Sequence, residues 1–392
     1  MPDAAARPER RTVLVSCLLV FMTQMATTIY LPSLPAVERQ FGISRSFAAL
    51  SVSLFVIAAA LPVLLWGRAA ERYGRRAAVL AALALFVVAS VLLALNTSAP
   101  GLLVLRSLQG VGAGGAAILA RIIVRDLGDG EVLARRLSVL SIAFVAALGG
   151  GQFLGGLIGK YSHWQTGFVV LAVVGSIGAL ATTTLTLEPK QGRGRQSGAT
   201  RLYLQILTTP AFLRPTVAAG LGFATIVLLQ EVAPFVFQRD FGLSVDAYGN
   251  VGLLFGLSYF SGALVVNRWS ASIGSAKLMR GGALVMTGSG VLLVGLWILP
   301  GLPLTAAMVT FIALYCVTTF GQAALFPSGM AVAVTSVQGN GAYAVALCGF
   351  AAQSIAGLVT SLAVVLHDNV TWASVATAMS ALAYLLVRRS AR

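Results

Sequence analysis

Apolar residues in this chain come in stretches of about 20, not in short alternation, and brief polar segments separate them. The stretches fall near residues 12–34, 46–66, 77–95, 101–123, 137–159, 164–186, 212–236, 247–266, 278–299, 303–326, 341–366 and 370–387. An α-helix rises about 1.5 Å per residue, so about 20 residues match a hydrocarbon core of about 30 Å. A transmembrane barrel would instead show runs of about ten with alternating polarity. The pattern predicts twelve membrane-spanning helices. The first stretch is too long for the apolar core of a signal peptide, and no A-x-A-type cleavage site follows it, so it is read as a retained span. Segment 187–211 is the only long polar stretch and reads as a linker.

Composition excludes a soluble reading. Hydrophobic residues make up 58% and charged residues 10%, whereas soluble domains hold about 45–50% apolar and about 25% charged. The net charge of +15 suggests nucleic acid until its distribution is considered. Of 27 lysines and arginines, 21 lie in every second polar segment, from Arg7, Arg10 and Arg11 through Arg68–Arg76 and the linker to Arg388–Arg392. Only Arg39, Arg45, Lys160 and Arg239 fall in the alternate loops, and Arg106 and Arg121 lie within the fourth stretch. This is the positive-inside signature, with both termini cytoplasmic. The basic segments are short and separated by spans, so nucleic-acid binding is not expected. Cys17, Cys316 and Cys348 lie within spans without metal-ligand spacing, and His163 and His367 sit in separate loops. No metal, cofactor or catalytic site is expected. An enzyme would need a paired nucleophile and base or a metal cluster.

The chain also repeats. ERQFGIS at 38–44 resembles FQRDFGLS at 237–244, with Phe41, Gly42 and Ser44 lying 200 residues before Phe241, Gly242 and Ser244. The same offset pairs Arg68 with Arg268 and Gly74 with Gly274. Two six-span halves related in this way are parallel repeats. The expected organisation is a tail (1–11), a six-helix bundle (12–186), a cytoplasmic linker (187–211), a second bundle (212–387) and a tail (388–392).

Several motifs carry a resemblance. After the second span comes GRAAERYGRR, with Gly67, Glu71, Arg72, Gly74, Arg75 and Arg76. It resembles the G-x-x-x-D-R-x-G-R-R loop of the major facilitator superfamily, with Glu71 in place of the usual aspartate. The fourth span, LRSLQGVGAGGAAILARIIVRDL, resembles the family's fourth-helix motif, with Arg106 as its intramembrane arginine. The fifth span, ALGGGQFLGGLIG, resembles the antiporter motif of drug exporters, with Gln152 where that motif has proline, before Gly155 and Gly156. Adding MATTIYLPSLP, ALFPSG and GAYAVALCGFAAQSIAG, the chain resembles the drug/proton antiporters that export bicyclomycin, chloramphenicol or florfenicol.

The resemblance implies an all-α membrane protein of the major facilitator fold, with twelve transmembrane helices in two pseudo-symmetric six-helix bundles. It also implies alternating access, export of a small amphiphilic compound in exchange for protons, and a monomer in the inner membrane of a bacterial cell. The group's helix-one motif carries an aspartate where this chain has Thr28, so the usual proton-binding carboxylate is missing. That departure keeps a proton-independent facilitator or importer open.

Of the twelve acids, eleven fall in loops, tails or span borders, and Glu231 alone lies inside a span. An intramembrane carboxylate is costly, and a functional role is its default explanation. Thr28 maps by the 200-residue offset onto Leu228, and Glu231 lies three residues further on, on the same helix face. Glu231 and Arg106 are therefore the candidate proton-coupling pair. Gln24, Thr28, Tyr30, Gln109, Gln152, Gln230, Glu231, Tyr259, Tyr315, Gln322 and Gln353 are the candidate substrate contacts, each equally able to bond a neighbouring helix.

Overall fold

The computed structural model describes residues 3–127, 130–185, 187, 205–299, 301–337, 341–361 and 368–388. The described residues are helical almost throughout. In chain order the helices are α1 (Asp3–Thr28), α2 (Leu34–Phe41), α3 (Arg45–Ala60), α4 (Val63–Tyr73), α5 (Arg75–Ala94), α6 (Ala99–Asp126), α7 (Gly130–Tyr161) and α8 (Gln165–Thr183). They continue as α9 (Pro210–Phe235), α10 (Val245–Ile273), α11 (Ser275–Ile298), α12 (Leu304–Thr335), α13 (Gly341–Ser361) and α14 (Asn369–Val387). Most of the 187–211 segment, His367 and the last four residues lie outside the described residues.

Among the described residues, ten helical runs are long and apolar enough to cross a bilayer. The bent pair α3–α4 makes an eleventh. Its two arms meet at 44° around Leu61 and Pro62, where proline's missing N–H and its ring break the helical ladder. The remaining expected span, 341–366, corresponds to α13; its apolar part, Leu347–Ser361, is short, and 362–366 are not among the described residues. The first span differs from the uninterrupted helix expected. It breaks at a 3-10 turn, Leu31–Ser33, and resumes as α2. Pro32 and Pro35 supply no N–H to a continuous ladder there.

The chain forms two compact units. One comprises Met1–Ser44, Leu54–Gly192 and Ser244–Leu253; the other comprises Arg45–Ser53, Arg193–Leu243 and Leu254–Arg392. They follow the sequence halves except at two short segments that change sides, the starts of α3 and α10.

Each unit is built on one plan. In the first, α5 packs on α6 and α8, and α1 packs on α6, α7 and α8. In the second, α11 packs on α12 and α14, and α9 packs on α12, α13 and α14. The buried face of α5 is Ala78, Val79, Ala82, Leu83, Phe86, Ala89, Ser90 and Leu93. That of α11 is Leu278, Met279, Gly282, Ala283, Met286, Ser289, Gly290 and Leu293, the same positions 200 residues on. The turns repeat as well. Gly74 has φ +89° and Gly274 φ +86°, between α4 and α5 and between α10 and α11. A side chain at either position would be strained, because a Cβ disfavours positive φ.

Candidate functional site

Polar groups buried inside each unit are the places where chemistry can sit, since the rest of the interior is apolar. In the first unit the largest is Arg106 of α6, fully buried. Its Nη1 donates to the Ala26 carbonyl at 3.1 Å and to Gln109 Oε1 at 2.6 Å. The Ala26 carbonyl is free to accept because α1 ends at Thr28, and the last four carbonyls of a helix lack intrahelical donors. Gln109 passes the interaction on: its Nε2 donates to Ser90 Oγ at 2.8 Å, and Ser90 donates to the Phe86 carbonyl at 2.7 Å. Three rings surround the guanidinium, with Phe55 at 4.2 Å, Tyr30 at 5.0 Å and Phe168 at 5.8 Å from centroid to Cζ. Arg106 Nε and Nη2 make no hydrogen bond. A desolvated cation over aromatic faces gains about 2 kcal/mol or more per good contact, so the cage offsets much of the burial cost. Within this unit the arginine is held by π faces and neutral acceptors.

In the second unit the buried acid is Glu231 of α9, 1% exposed. Its Oε1 accepts from the Ser53 hydroxyl at 2.5 Å, and its Oε2 makes no hydrogen bond. Thr360 of α13 stands beside the same carboxyl, but its hydroxyl donates to the Ala356 carbonyl at 2.9 Å. One turn further along α9, the Phe235 ring carries Arg45 at 5.0 Å on one approach and Arg239 at 5.5 Å on another. Arg106 and Glu231 thus each have a separate set of partners within their own unit.

The other candidates divide by environment. Thr28 is fully buried and donates to the Ala147 carbonyl at 2.9 Å, so its hydroxyl serves the α1–α7 contact. Tyr30 is part of the Arg106 cage. Tyr315 is buried and lies 3.8 Å, centroid to centroid, from Phe255. Gln152 and Gln322 are buried with Oε1 unbonded. Gln230 is buried, whereas Gln24, Tyr259 and Gln353 are half-buried.

The loop motif has a clear internal logic. Arg75 Nε meets Asp126 Oδ2 at 3.1 Å, and its Nη1 donates to the Ala70 carbonyl at 2.9 Å, tying α4, α5 and the end of α6 together. Gly74 supplies the turn; Gly67 sits within α4 facing open space and makes no such demand. Glu71, Arg72 and Arg76 are exposed. In α7, a Cβ on Gly155 would stand 2.1 Å from the Ile29 carbonyl oxygen, and one on Gly156 2.8 Å from the Cα of Gly249. Both glycines are required by close helix packing.

Sequence reasoning missed Ser53, Ser90, Phe55, Phe168 and Asp126 as partners. Ser53 had a faint signal, a hydroxyl in an apolar run; the rings looked like ordinary core. Among the described residues no cluster of three or more His, Cys, Asp or Glu is placed to hold a metal.

The family model described as Major Facilitator Superfamily matches residues 16–237. The chain is 28% identical over 307 residues to the "Multidrug transporter MdfA" of Yersinia pestis, covering 76% of this chain and 73% of that protein. It is 28% identical over 246 residues to the "Multidrug resistance protein MdtL" of Klebsiella pneumoniae, so it spans 61% of that relative's length. Among solved structures, a D-xylose–proton symporter superposes with a TM-score of 0.80 at 16% identity, over 97% of each chain. At that identity the likeness speaks for the fold alone.

Proposed function

The chain belongs to the major facilitator superfamily and is a multi-pass secondary transporter, and from that premise we propose that it exports a small amphiphilic, antibiotic-like compound in exchange for protons carried by Glu231. The observation that carries the proposal is the Glu231 carboxyl itself, buried in α9 with one oxygen bonded to Ser53 and the other unbonded. A structural carboxylate in a membrane interior is normally satisfied on both oxygens or paired with a cation. One held by a single hydroxyl can exchange a proton with little rearrangement. The drug-related names of the MdfA and MdtL relatives support the substrate class. Within the first unit Arg106 and Gln152, and within the second Gln230 and Gln322, are buried polar groups that serve as candidate substrate contacts.

In the orientation favoured by the basic residues, both termini and the 187–211 segment are cytoplasmic, and the Phe235 end of α9 faces outward. A single cysteine at Gly194 in a cysteine-free chain then reacts with an impermeant thiol reagent only from the inside.

The main test is transport in proteoliposomes with an imposed pH gradient, using a panel of drug-like compounds that includes chloramphenicol and florfenicol. The wild type is expected to accumulate at least one of them against its gradient. Glu231→Gln should keep downhill exchange while proton-driven accumulation falls about a hundredfold, the low end of what a positioned proton-transfer group contributes. Full proton-driven accumulation by Glu231→Gln would remove the coupling role. Accumulation indifferent to the pH gradient in the wild type would leave a proton-independent carrier, the reading that fits Thr28 serving only as a packing residue.

A further inference from the structure

We propose that Ser53 is a positioning residue that ties the protonation of Glu231 to the seating of α3; this rests on Glu231 carrying the coupled proton. The Ser53 hydroxyl donates to Glu231 Oε1 at 2.5 Å, and both residues are buried. Eight residues earlier on the same helix, the Arg45 guanidinium lies over Phe235, which is one turn beyond Glu231 on α9. Residues i and i+8 fall near one face of a helix, so the first two turns of α3 lie along α9 over its only acid. The segment is held there by side-chain contacts at both ends.

Ser53 is also the last residue of the α3 segment that belongs to the second compact unit; from Leu54 onward α3 belongs to the first. The helix is continuous through this point. The hydroxyl at this boundary in the helix is the one that holds the carboxyl.

The chemistry makes the link two-way. An ionised carboxylate accepts a charge-assisted hydrogen bond, roughly twice as strong as the neutral bond open to a protonated one. Binding a proton at Glu231 therefore loosens α3, and lifting α3 leaves the carboxyl without its hydroxyl donor. Proton exchange and helix movement become one event, which a coupled carrier needs to avoid leakage.

The repeat shows that the fold itself does not require this bond. Ser53 corresponds to Leu253 and Glu231 to Leu31 under the 200-residue offset. The matching place in the other half is built without either group, so the pair is an addition to a scaffold that packs without it.

The test needs no substrate. Purified protein is reconstituted into liposomes loaded with the pH dye pyranine, and proton leak is followed after an imposed pH step. Ser53→Ala is expected to leak about tenfold faster than wild type, the scale of one hydrogen bond to a charged group. The double variant Ser53→Ala/Glu231→Gln should return to the wild-type rate, because the leak runs through the carboxyl. A merely structural loosening would leave the double variant as leaky as Ser53→Ala, and that result overturns the proposal. So does a wild-type leak rate in Ser53→Ala. If Ser53→Ala inserts poorly, Ser53→Cys, similar in size and a weak donor, takes its place with the same two outcomes. Failure of the underlying reading appears elsewhere, as full proton-driven accumulation by Glu231→Gln alone.

Discussion

The first two turns of α3 and of α10 are counterparts in the repeat, residues 45–53 and 245–253, and each packs in the unit that does not hold the rest of its helix. Their contacts differ in kind. The α10 segment lies against α7 through its glycines: a Cβ on Gly249 would stand 2.8 Å from the Cα of Gly156, and one on Gly252 would stand 2.3 Å from the Gln152 side-chain Oε1. Its one ion pair, Lys160 Nζ to Asp246 Oδ2 at 2.7 Å, is at the exposed rim. The α3 segment is held by side chains instead, Ser53 on a buried acid and Arg45 over a buried ring. One seam is steric and holds no buried carboxyl among its described residues, its buried phenol being Tyr248; the other carries a carboxyl. The repeat thus sets where helices meet, while the side chains decide which meeting place can respond to a proton.

That contrast can be broken most forcefully at the steric seam. Gly156→Ile adds bulk where no space exists, and overpacking costs about 1–3 kcal/mol or more. We expect the detergent-solubilised protein to melt lower and transport of any accumulated probe to fall below detection, whereas Gly150→Ile in the same helix, with open space at its Cβ, should leave both nearly unchanged. Next come the turns the two units share. Gly74→Val and Gly274→Val each force a branched residue to φ near +90°, at about 1–3 kcal/mol of strain. Because the turns match, the two variants should lower the melting temperature equally; a large inequality would show that the repeat is not energetically even.

At the responsive seam, Arg45→Leu removes a cation–π contact worth about 0.5–2 kcal/mol. Its expected effect is a smaller proton leak than that of Ser53→Ala, since Arg45 contacts the ring over the acid and not the acid itself. The smallest effect belongs to the rim pair. Lys160→Ala should change transport by less than about twofold, and raising salt to 1 M should erase the difference, because exposed ion pairs are screened. A large loss in Lys160→Ala would show that the steric seam relies on charge after all.

Much of this architecture could be read from the sequence. Span positions follow from hydropathy because a bilayer demands long apolar helices, and the paired turns at Gly74 and Gly274 were visible as a fixed offset. What hydropathy cannot show is where one helix becomes two. Pro32 and Pro62 break their spans for local backbone reasons that a 20-residue average erases. Nor does it show partners. Glu231 was found by elimination, yet its hydrogen-bond donor lies 178 residues away, and the candidate contact Thr28 donates its hydroxyl to the Ala147 carbonyl, 119 residues away. The Arg106 cage was invisible because phenylalanines that stabilise a cation are spelled like phenylalanines that fill a core.

The cage also bears on how the chain is made. An arginine within a span costs up to about 2.5–3.5 kcal/mol, the value at the helix centre, when its helix enters a bilayer. Ribosomal order places α1, the turn that follows it and α3 in the membrane before α6, and these carry the Ala26 carbonyl, Tyr30 and Phe55 respectively. Only Phe168, on α8, is synthesised afterwards. The charged helix therefore arrives where most of its receptor is already waiting, and biogenesis of the first half is expected to stall at α6 when Tyr30 and Phe55 are both replaced by alanine.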